Sequence, residues 1–318
     1  MANLTVIAVD TGNTNIKTPH AEPFGAGLIS HGKTAPPIMV DTLCVGGEYY
    51  SLTSKRIPTM YDKTETDDFY ILTLFAMAKE LQALEPARTY FRRDVCLAVG
   101  LPPTHLQQLK DKYISYFGRS GKRVEFTYNN AQLELRVERV MVYPQGYAAT
   151  VPYRAEIQGY AKSYVVDIGG YTTDVIMFTQ RGVPDPSLCE SYNMGVIKMY
   201  DEVQRAVRSK HRQDLDDYTL DAIVRGKLDP GPDIKRTVYD SIRDYARWML
   251  HGLREKGIDF GLSYIYFVGG GAVLMRDTID EEVECAHRVI DDVRANAIGY
   301  ALLAKAALMR ESAAGGGC

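Results

Sequence analysis

Two stretches of this chain carry one pattern. Residues 6 to 17 read VIAVDTGNTNIK and residues 164 to 174 read YVVDIGGYTTD. Each begins as a short apolar run rich in β-branched residues, which is the signature of a buried strand. Each run ends in an aspartate, adds one residue, then a glycine, then a small polar turn. Asp10 and Asp167 lie 157 positions apart in a chain of 318, about half its length. A repeat at half-chain spacing predicts two related domains. Facing one another, they would bring both aspartates and both turns into one cleft.

The surrounding pattern fits that division. Apolar runs followed by glycine turns fall at 4–9, 95–99, 164–166 and 264–268, and amphipathic patterns predict helices near 67–84, 104–117, 196–210, 215–225, 236–256 and 293–309. Strands alternating with helices predict an α/β protein. RVEFTYN and LELRVERVMVY add antiparallel or mixed strands to the first half, and KLDPGPD at 227–233 reads as a surface connection between helices. A hydrophobic content of 46% supplies enough apolar side chain for two well-buried cores.

Charge and leader signals narrow the class of function. A net charge of −3 argues against a dedicated nucleic-acid surface, which needs clustered cations, so no direct nucleic-acid binding is expected. The first residues, MANLT, lack the basic and apolar regions of a secretion signal, and no apolar run approaches a membrane span. A cytoplasmic protein without membrane contact is expected. Cys44, Cys96, Cys189 and Cys285 are scattered, with no zinc-like spacing, and read as buried free thiols. Residues 313–318 end in GGGC, which reads as an engineered linker and labelling thiol.

One apparent phosphate motif fails. GLISHGKT at 27–34 matches G-x-x-x-x-G-K-[ST] at every fixed position. The chemistry of that motif requires a helix directly after the loop, whose first amides hold phosphate. Here Ala35-Pro36-Pro37 follows, and consecutive prolines forbid a helix at that point. A better candidate is FVGGGAVLM at 267–275, where a strand feeds Gly269, Gly270 and Gly271 and then an apolar helical segment. Glycines there let backbone approach a flat or anionic ligand.

Taken in order, these pieces resemble the actin, sugar-kinase and heat-shock-chaperone ATPase superfamily. DTGNTNIK resembles its first phosphate motif, DIGGYTTD its second and FVGGGA its adenosine motif, while VYPQGYAA at 142–149 and ANAIGY at 295–300 resemble its two connecting motifs. The resemblance implies an actin-like fold, two related RNase H-like α/β domains around a nucleotide cleft. Residues 1–150 with 296–312 would form domain I, and 151–295 domain II.

It also implies roles. Asp10 and Asp167 would hold Mg2+ through water, and the amides of Thr11, Gly12, Asn13, Thr14, Asn15, Gly169, Gly170, Tyr171, Thr172 and Thr173 would clasp the β- and γ-phosphates of ATP or ADP. Lys17 would offset their charge. Gln145 would orient the attacking water, a task suited to an amide with both donor and acceptor. Asn193 and Gly195 would approach the base or ribose with Gly269 to Gly271, and Lys198 and Glu202 are further candidates there. Lys17 as a solvated cation and Gln145 as a first-turn helix residue after Pro144 are the plain alternatives. Asp174 either touches the metal network or caps local backbone.

Within that superfamily the Thr-Asn-Ile-Lys of the first motif is similar to plasmid-segregation actins of the ParM type. The implied function is a filament-forming ATPase that assembles with ATP and Mg2+, hydrolyses ATP to drive disassembly and moves plasmid DNA through a DNA-binding adaptor. The alternative is a small-metabolite kinase of the same superfamily, because type III pantothenate kinases open on a similar strand-Asp-x-Gly-Asn-Thr. Such a kinase needs a carboxylate base for its acceptor hydroxyl, which Gln145 cannot supply.

Overall fold

The computed structural model describes residues 4–178 and 184–315. In chain order its strands and helices are β1 (Thr5–Thr11), β2 (Asn15–Lys17), β3 (Phe24–Gly25), β4 (Leu28–Gly32), β5 (Thr42–Val45), β6 (Glu48–Leu52), α1 (Asp68–Leu84), β7 (Tyr90–Leu101), α2 (Pro103–Gly118), β8 (Arg123–Tyr128), β9 (Ala131–Pro144), β10 (Ser163–Ile168), β11 (Thr173–Phe178), β12 (Pro184–Tyr192), α3 (Val196–His211), α4 (Asp217–Val224), α5 (Pro232–Glu255), β13 (Tyr264–Val268), α6 (Gly270–Leu274), α7 (Arg276–Glu282), β14 (Ala286–Val289) and α8 (Ala295–Gly315). They form two compact units, one built from the chain up to Pro152 and from Arg294 onward, the other from Tyr153–Val293.

The first unit is a nine-stranded sheet in the order β3-β2-β1-β7-β9-β8-β5-β6-β4. At its centre β1, β7 and β9 run parallel. Strand alternation sends Ile7, Val9, Leu97 and Val99 into a large core with α1 and α2, and sends Ala8, Cys96 and Ala98 to the opposite face, under α8. That second face is made of small side chains, so α8 lies close. A Cβ on Gly299 would fall inside the backbone of Ala148, and one on Gly100 inside the Tyr300 ring.

Strand β9 does not keep a single alternation. Val137 pairs with Val95 but Arg139 pairs with Cys96, so Glu138 is an extra residue in a bulge. Before it, the odd-numbered Leu133, Leu135 and Val137 face the large core; after it, the odd-numbered Met141 and Tyr143 face α8. A one-residue insertion reverses every later side chain.

The second unit is a five-stranded sheet in the order β12-β11-β10-β13-β14. Tyr164, Val166, Ile168, Ile265 and Phe267 pack against buried residues of α3 and α5. Helix α5 owes its length to apolar residues at helical spacing, among them Val238, Ile242, Tyr245, Met249 and Leu253. It starts at Pro232, inside the stretch read as a loop, because proline is tolerated at the first helical position. On the other face Tyr266 donates to the carbonyl of Tyr153 at 2.6 Å, and Tyr264 to Glu156 at 2.6 Å.

Three further segments bear on what the sequence predicts. Residues 148–157, outside the predicted helices, form a 3-10 helix with Pro152 inside it. The chain from 313 to 315 continues α8 rather than starting a linker, whereas Cys318 lies outside the described residues. The segment matching G-x-x-x-x-G-K-[ST] is strand β4 and a turn, with no helix after it. Cys44, Cys96, Cys189 and Cys285 are free thiols, Cys96 and Cys285 buried.

Candidate functional site

The first Asp-x-Gly stretch is a tight hairpin. Strands β1 and β2 pair antiparallel with Asp10 opposite Lys17 and Thr11 opposite Ile16, which leaves residues 12–15 as the loop. The register itself makes the ion pair: Lys17 Nζ lies 3.2 Å from Asp10 Oδ2. Asp10 is 2% exposed, and its other oxygen accepts a bond from Gln145 Nε2 at 3.1 Å. Only glycine fits at position 12, where a Cβ would come within 2.6 Å of the Asn15 carbonyl.

Gln145 reaches Asp10 because of the bulge at Glu138. Past the bulge, odd-numbered residues share the face of Ala8, and Gln145 stands one step beyond the strand with its amide bonded to the Leu101 carbonyl at 2.8 Å. It belongs to the turn before the 3-10 helix, not to a helical first turn. The same turn is fixed from α8: Gly146 has φ of 71°, and its amide donates to Asn296 Oδ1 at 2.8 Å.

The hairpin loop holds unmet hydrogen-bonding capacity. Thr11 Oγ1, Asn13 Oδ1 and Thr14 Oγ1 are buried with no hydrogen-bond partner. Leaving such groups unsatisfied costs about 1–3 kcal/mol each, so three on one turn point to an external polar partner. Lys63, from the connection between β6 and α1, donates to the Thr11 carbonyl and lies 4.8 Å from the centre of the Phe69 ring. Burial pulls its ammonium down to about 8; Asp10 opposes that shift and Lys17 adds to it.

The second stretch repeats the geometry in the second unit. Strands β10 and β11 pair with Asp167 opposite Asp174 and Ile168 opposite Thr173, again leaving four residues, 169–172, as the loop. The Gly169 amide closes the loop onto the Thr172 carbonyl at 2.9 Å. Gly269 adopts φ of +90°, and a Cβ there would stand 2.6 Å from Asp167 Oδ1, so the glycine run passes directly against the aspartate. Gly195 is equally constrained: a Cβ would meet the Gly170 carbonyl at 2.5 Å and the Tyr171 carbonyl at 2.6 Å. At the start of α3 the amides of Gly195, Val196 and Ile197 donate to the carbonyls of Tyr171, Gly169 and Gly170, at 3.1, 3.0 and 2.8 Å. Those carbonyls therefore turn toward α3.

Where the first hairpin has a lysine, the second has an acid. Asp174 is 7% exposed, its Oδ1 has no partner, and its Oδ2 accepts from Thr172 Oγ1 at 3.4 Å. Burial, reinforced by the charge of Asp167, pushes its carboxyl up to about 6, against the bonds from Ser191 and Thr172.

Two family models match this chain, "Actin like proteins N terminal domain" over residues 38–147 and "Archaeal actin homologue MreB-like, C-terminal" over 165–281. Together they cover more than two thirds of it. The chain belongs to the actin-like proteins. Solved structures agree on the fold. The archaeal actin homologue Ta0583 in complex with ADP matches with a TM-score of 0.74 at 16% identity, over 95% of this chain and 100% of that one. A 15-stranded ParM filament from Clostridium botulinum matches at 0.72 and 17%, over 96% and 99%. Bacillus thuringiensis ParM with AMPPNP matches at 0.64 and 13%, over 95% and 98%. No curated protein matches the chain in sequence.

In this actin-like protein, then, the structure gathers the sequence candidates into two groups. Asp10, Thr11, Gly12, Asn13, Thr14, Asn15, Lys17 and Gln145 meet at the first hairpin. Asp167, Gly169, Gly170, Tyr171, Thr172, Thr173, Gly195 and Gly269 meet at the second, and Gly271 abuts Ile168, leaving no room for a Cβ. Three others have these surroundings. Asn193 is exposed, Lys198 lies 4.8 Å over the Trp248 ring, and Glu202 pairs with Arg205 at 2.7 Å. Sequence reading missed Lys63 altogether. It sits between pattern-free residues, and nothing local marks it.

Proposed function

We propose that the chain is a ParM-type actin-like ATPase that assembles into filaments with ATP and Mg2+ and takes them apart after hydrolysis. The observation that carries this reading is the pair of matched hairpins, each ending a buried strand in an aspartate and presenting a four-residue loop, one with three unsatisfied buried oxygens. Asp10 and Asp167 are the residues that would hold Mg2+ through water, as suits a hard cation that keeps much of its hydration shell. Bound there, the ion supplies charge neutralisation for the leaving phosphates.

The remaining work falls to the chain. The loop amides and Lys17 bind phosphate. Gln145 donates a hydrogen bond from Nε2 to Asp10 Oδ1, which fixes the amide plane and leaves Oε1 to accept a hydrogen bond from a water and aim its lone pair. Gln145 itself cannot act as a general base for an acceptor alcohol, which supports water as the nucleophile. Nucleotide held by the phosphate loop favours one subunit conformation; losing the γ-phosphate removes part of that grip, and assembly becomes timed by hydrolysis. Head-to-tail contacts that do not close give a helical filament. The fold neighbours include filament structures named ParM and Alp12, which supports self-association. A plasmid cargo held through a DNA-binding adaptor accords with the chain's weak net charge of −3. No helix among the described residues is long and apolar enough to cross a membrane.

Light scattering and pelleting with ATP, ADP and no nucleotide, with phosphate release recorded alongside, test the proposal. Nucleotide-dependent pelleting with phosphate release is expected. A protein that stays soluble at tens of micromolar with ATP and Mg2+ yet phosphorylates pantothenate would overturn it.

A further inference from the structure

The second cation of the first hairpin has no assigned partner of opposite charge. Among the described residues no carboxylate forms an ion pair with Lys63; its contacts are the Thr11 carbonyl and the Phe69 ring, both neutral. Asp10, the nearby acid, already has Lys17 on one oxygen and Gln145 on the other. Two lysines therefore stand against one carboxylate around a loop whose own threonine and asparagine oxygens lack partners. A half-buried ammonium without a counter-ion loses part of its hydration uncompensated, and an arriving anion offsets that cost. Lys63 hangs from Thr11, the residue at the root of the loop, so its charge is delivered to the hairpin from a separate segment. From there it can respond to what the loop holds.

We propose that Lys63 is a second phosphate-binding cation of the Asp10 hairpin, one that reads the β-phosphate end of a nucleotide rather than its base or sugar. The inference rests on the reading that this hairpin takes nucleotide phosphates. It adds a residue from outside every recognised motif, and assigns it the discrimination between nucleoside diphosphate and monophosphate. The bland rival is a clamp: Lys63 tethers the hairpin through the Thr11 carbonyl and has no dealings with ligand.

Calorimetric titration of the full chain with ADP and with AMP, in Mg2+ at fixed ionic strength, separates these. ADP keeps ATP-driven assembly out of the measurement. The variants are Lys63→Gln, which keeps a donor for the Thr11 carbonyl and drops the charge, and Lys63→Arg, which keeps the charge. A charged hydrogen bond is worth enough that Lys63→Gln should weaken ADP about ten- to hundredfold. AMP binding should stay within about twofold, and Lys63→Arg should recover most of the preference. If Lys63→Gln does not fold by circular dichroism, Lys63→Arg carries the test alone: a preference for ADP equal to wild type supports the charge, and loss of that preference in a folded protein refutes it. If wild type prefers ADP and Lys63→Gln weakens both ligands equally or neither, Lys63 is only a clamp while the nucleotide reading stands. If wild type binds neither ligand, the nucleotide reading itself falls.

Discussion

Replacing Asp174 by asparagine should make the second unit more stable at neutral pH and change little in acid. In the folded chain this carboxyl is raised to about 6 from an ordinary 3.8, chiefly by burial. Between those two values the folded state binds a proton that the unfolded state has lost. Stability therefore falls as pH rises through the window, and above it the full penalty remains. At about 1.4 kcal/mol per pH unit, ionised Asp174 costs roughly 3 kcal/mol near neutrality, but only about 1 kcal/mol at pH 4.5. The neutral amide of the Asp174→Asn variant would carry no such term, and its fixed effects on packing and hydrogen bonding cancel when the two pH values are compared. The advantage of Asp174→Asn over wild type should thus grow by roughly 2 kcal/mol between pH 4.5 and 7.5. The assay is urea unfolding in EDTA without nucleotide, followed by fluorescence of Trp248. It is the only tryptophan in the sequence, it is 47% exposed, and it lies on α5 of the same unit as Asp174. An advantage that is equal at both pH values would show that Asp174 is ionised at its ordinary pH, and the burial argument would fail.

Three other outcomes are expected. Gln145→Ala should slow phosphate release by at least about tenfold while leaving ATP-dependent pelleting largely intact, because in the proposed mechanism the amide positions water and binds no phosphate; wild-type phosphate release would remove Gln145 from the chemistry. Gly299→Ala should cost about 3 kcal/mol in circular-dichroism unfolding, since the added methyl meets the Ala148 backbone, which cannot rotate away as a side chain can; a shift below about 1 kcal/mol would mean α8 slides freely. Glu80→Ala should cost about 2–4 kcal/mol by the same measurement. It strands the amides of His20 and Ala21 and the His20 ring, which Glu80 receives at 3.0, 3.2 and 2.6 Å, and an unchanged midpoint would show that water replaces the carboxylate without cost.

Much of this architecture was legible because its signals are local. The strands leading to Asp10 and Asp167 announce themselves through continuous apolar runs followed by turn chemistry, and helices α1, α3 and α5 through spacing. The start of α5 was lost because Pro232 signals both a loop and a first helical turn, and only the packing behind it decides. Strands β2 to β6 were lost for another reason: they are two to five residues long, too short for periodicity to accumulate. The bulge at Glu138 is subtler. In LELRVERVMVY the inserted residue puts the two halves on opposite faces, and its one sequence mark is the pair of adjacent charged residues, Glu138 and Arg139, where the alternation slips by one. That hidden reversal is what aligns Gln145 with Asp10.

The two hairpins also show what an internal echo does and does not fix. Both place an aspartate and the residue seven positions later directly across an antiparallel pair. Backbone register is thus duplicated, while the side chain at the second position differs: Lys17 neutralises Asp10, and Asp174 opposes Asp167. If a phosphate occupies the first loop, Lys17 and Lys63 already supply cations there. The second hairpin has paired acids at the same positions, and a cation is what would relieve them. The frame is repeated and the charge is inverted. On the proposed reading the first hairpin would suit an anionic ligand group and the second a cation. A complementary pair of charge reversals, Lys17→Asp and Asp174→Lys, should therefore fail for different reasons: the first by losing ADP affinity even in EDTA, the second by losing only the increment in affinity that Mg2+ adds. Identical losses in both conditions would mean that the inverted charges serve the fold alone.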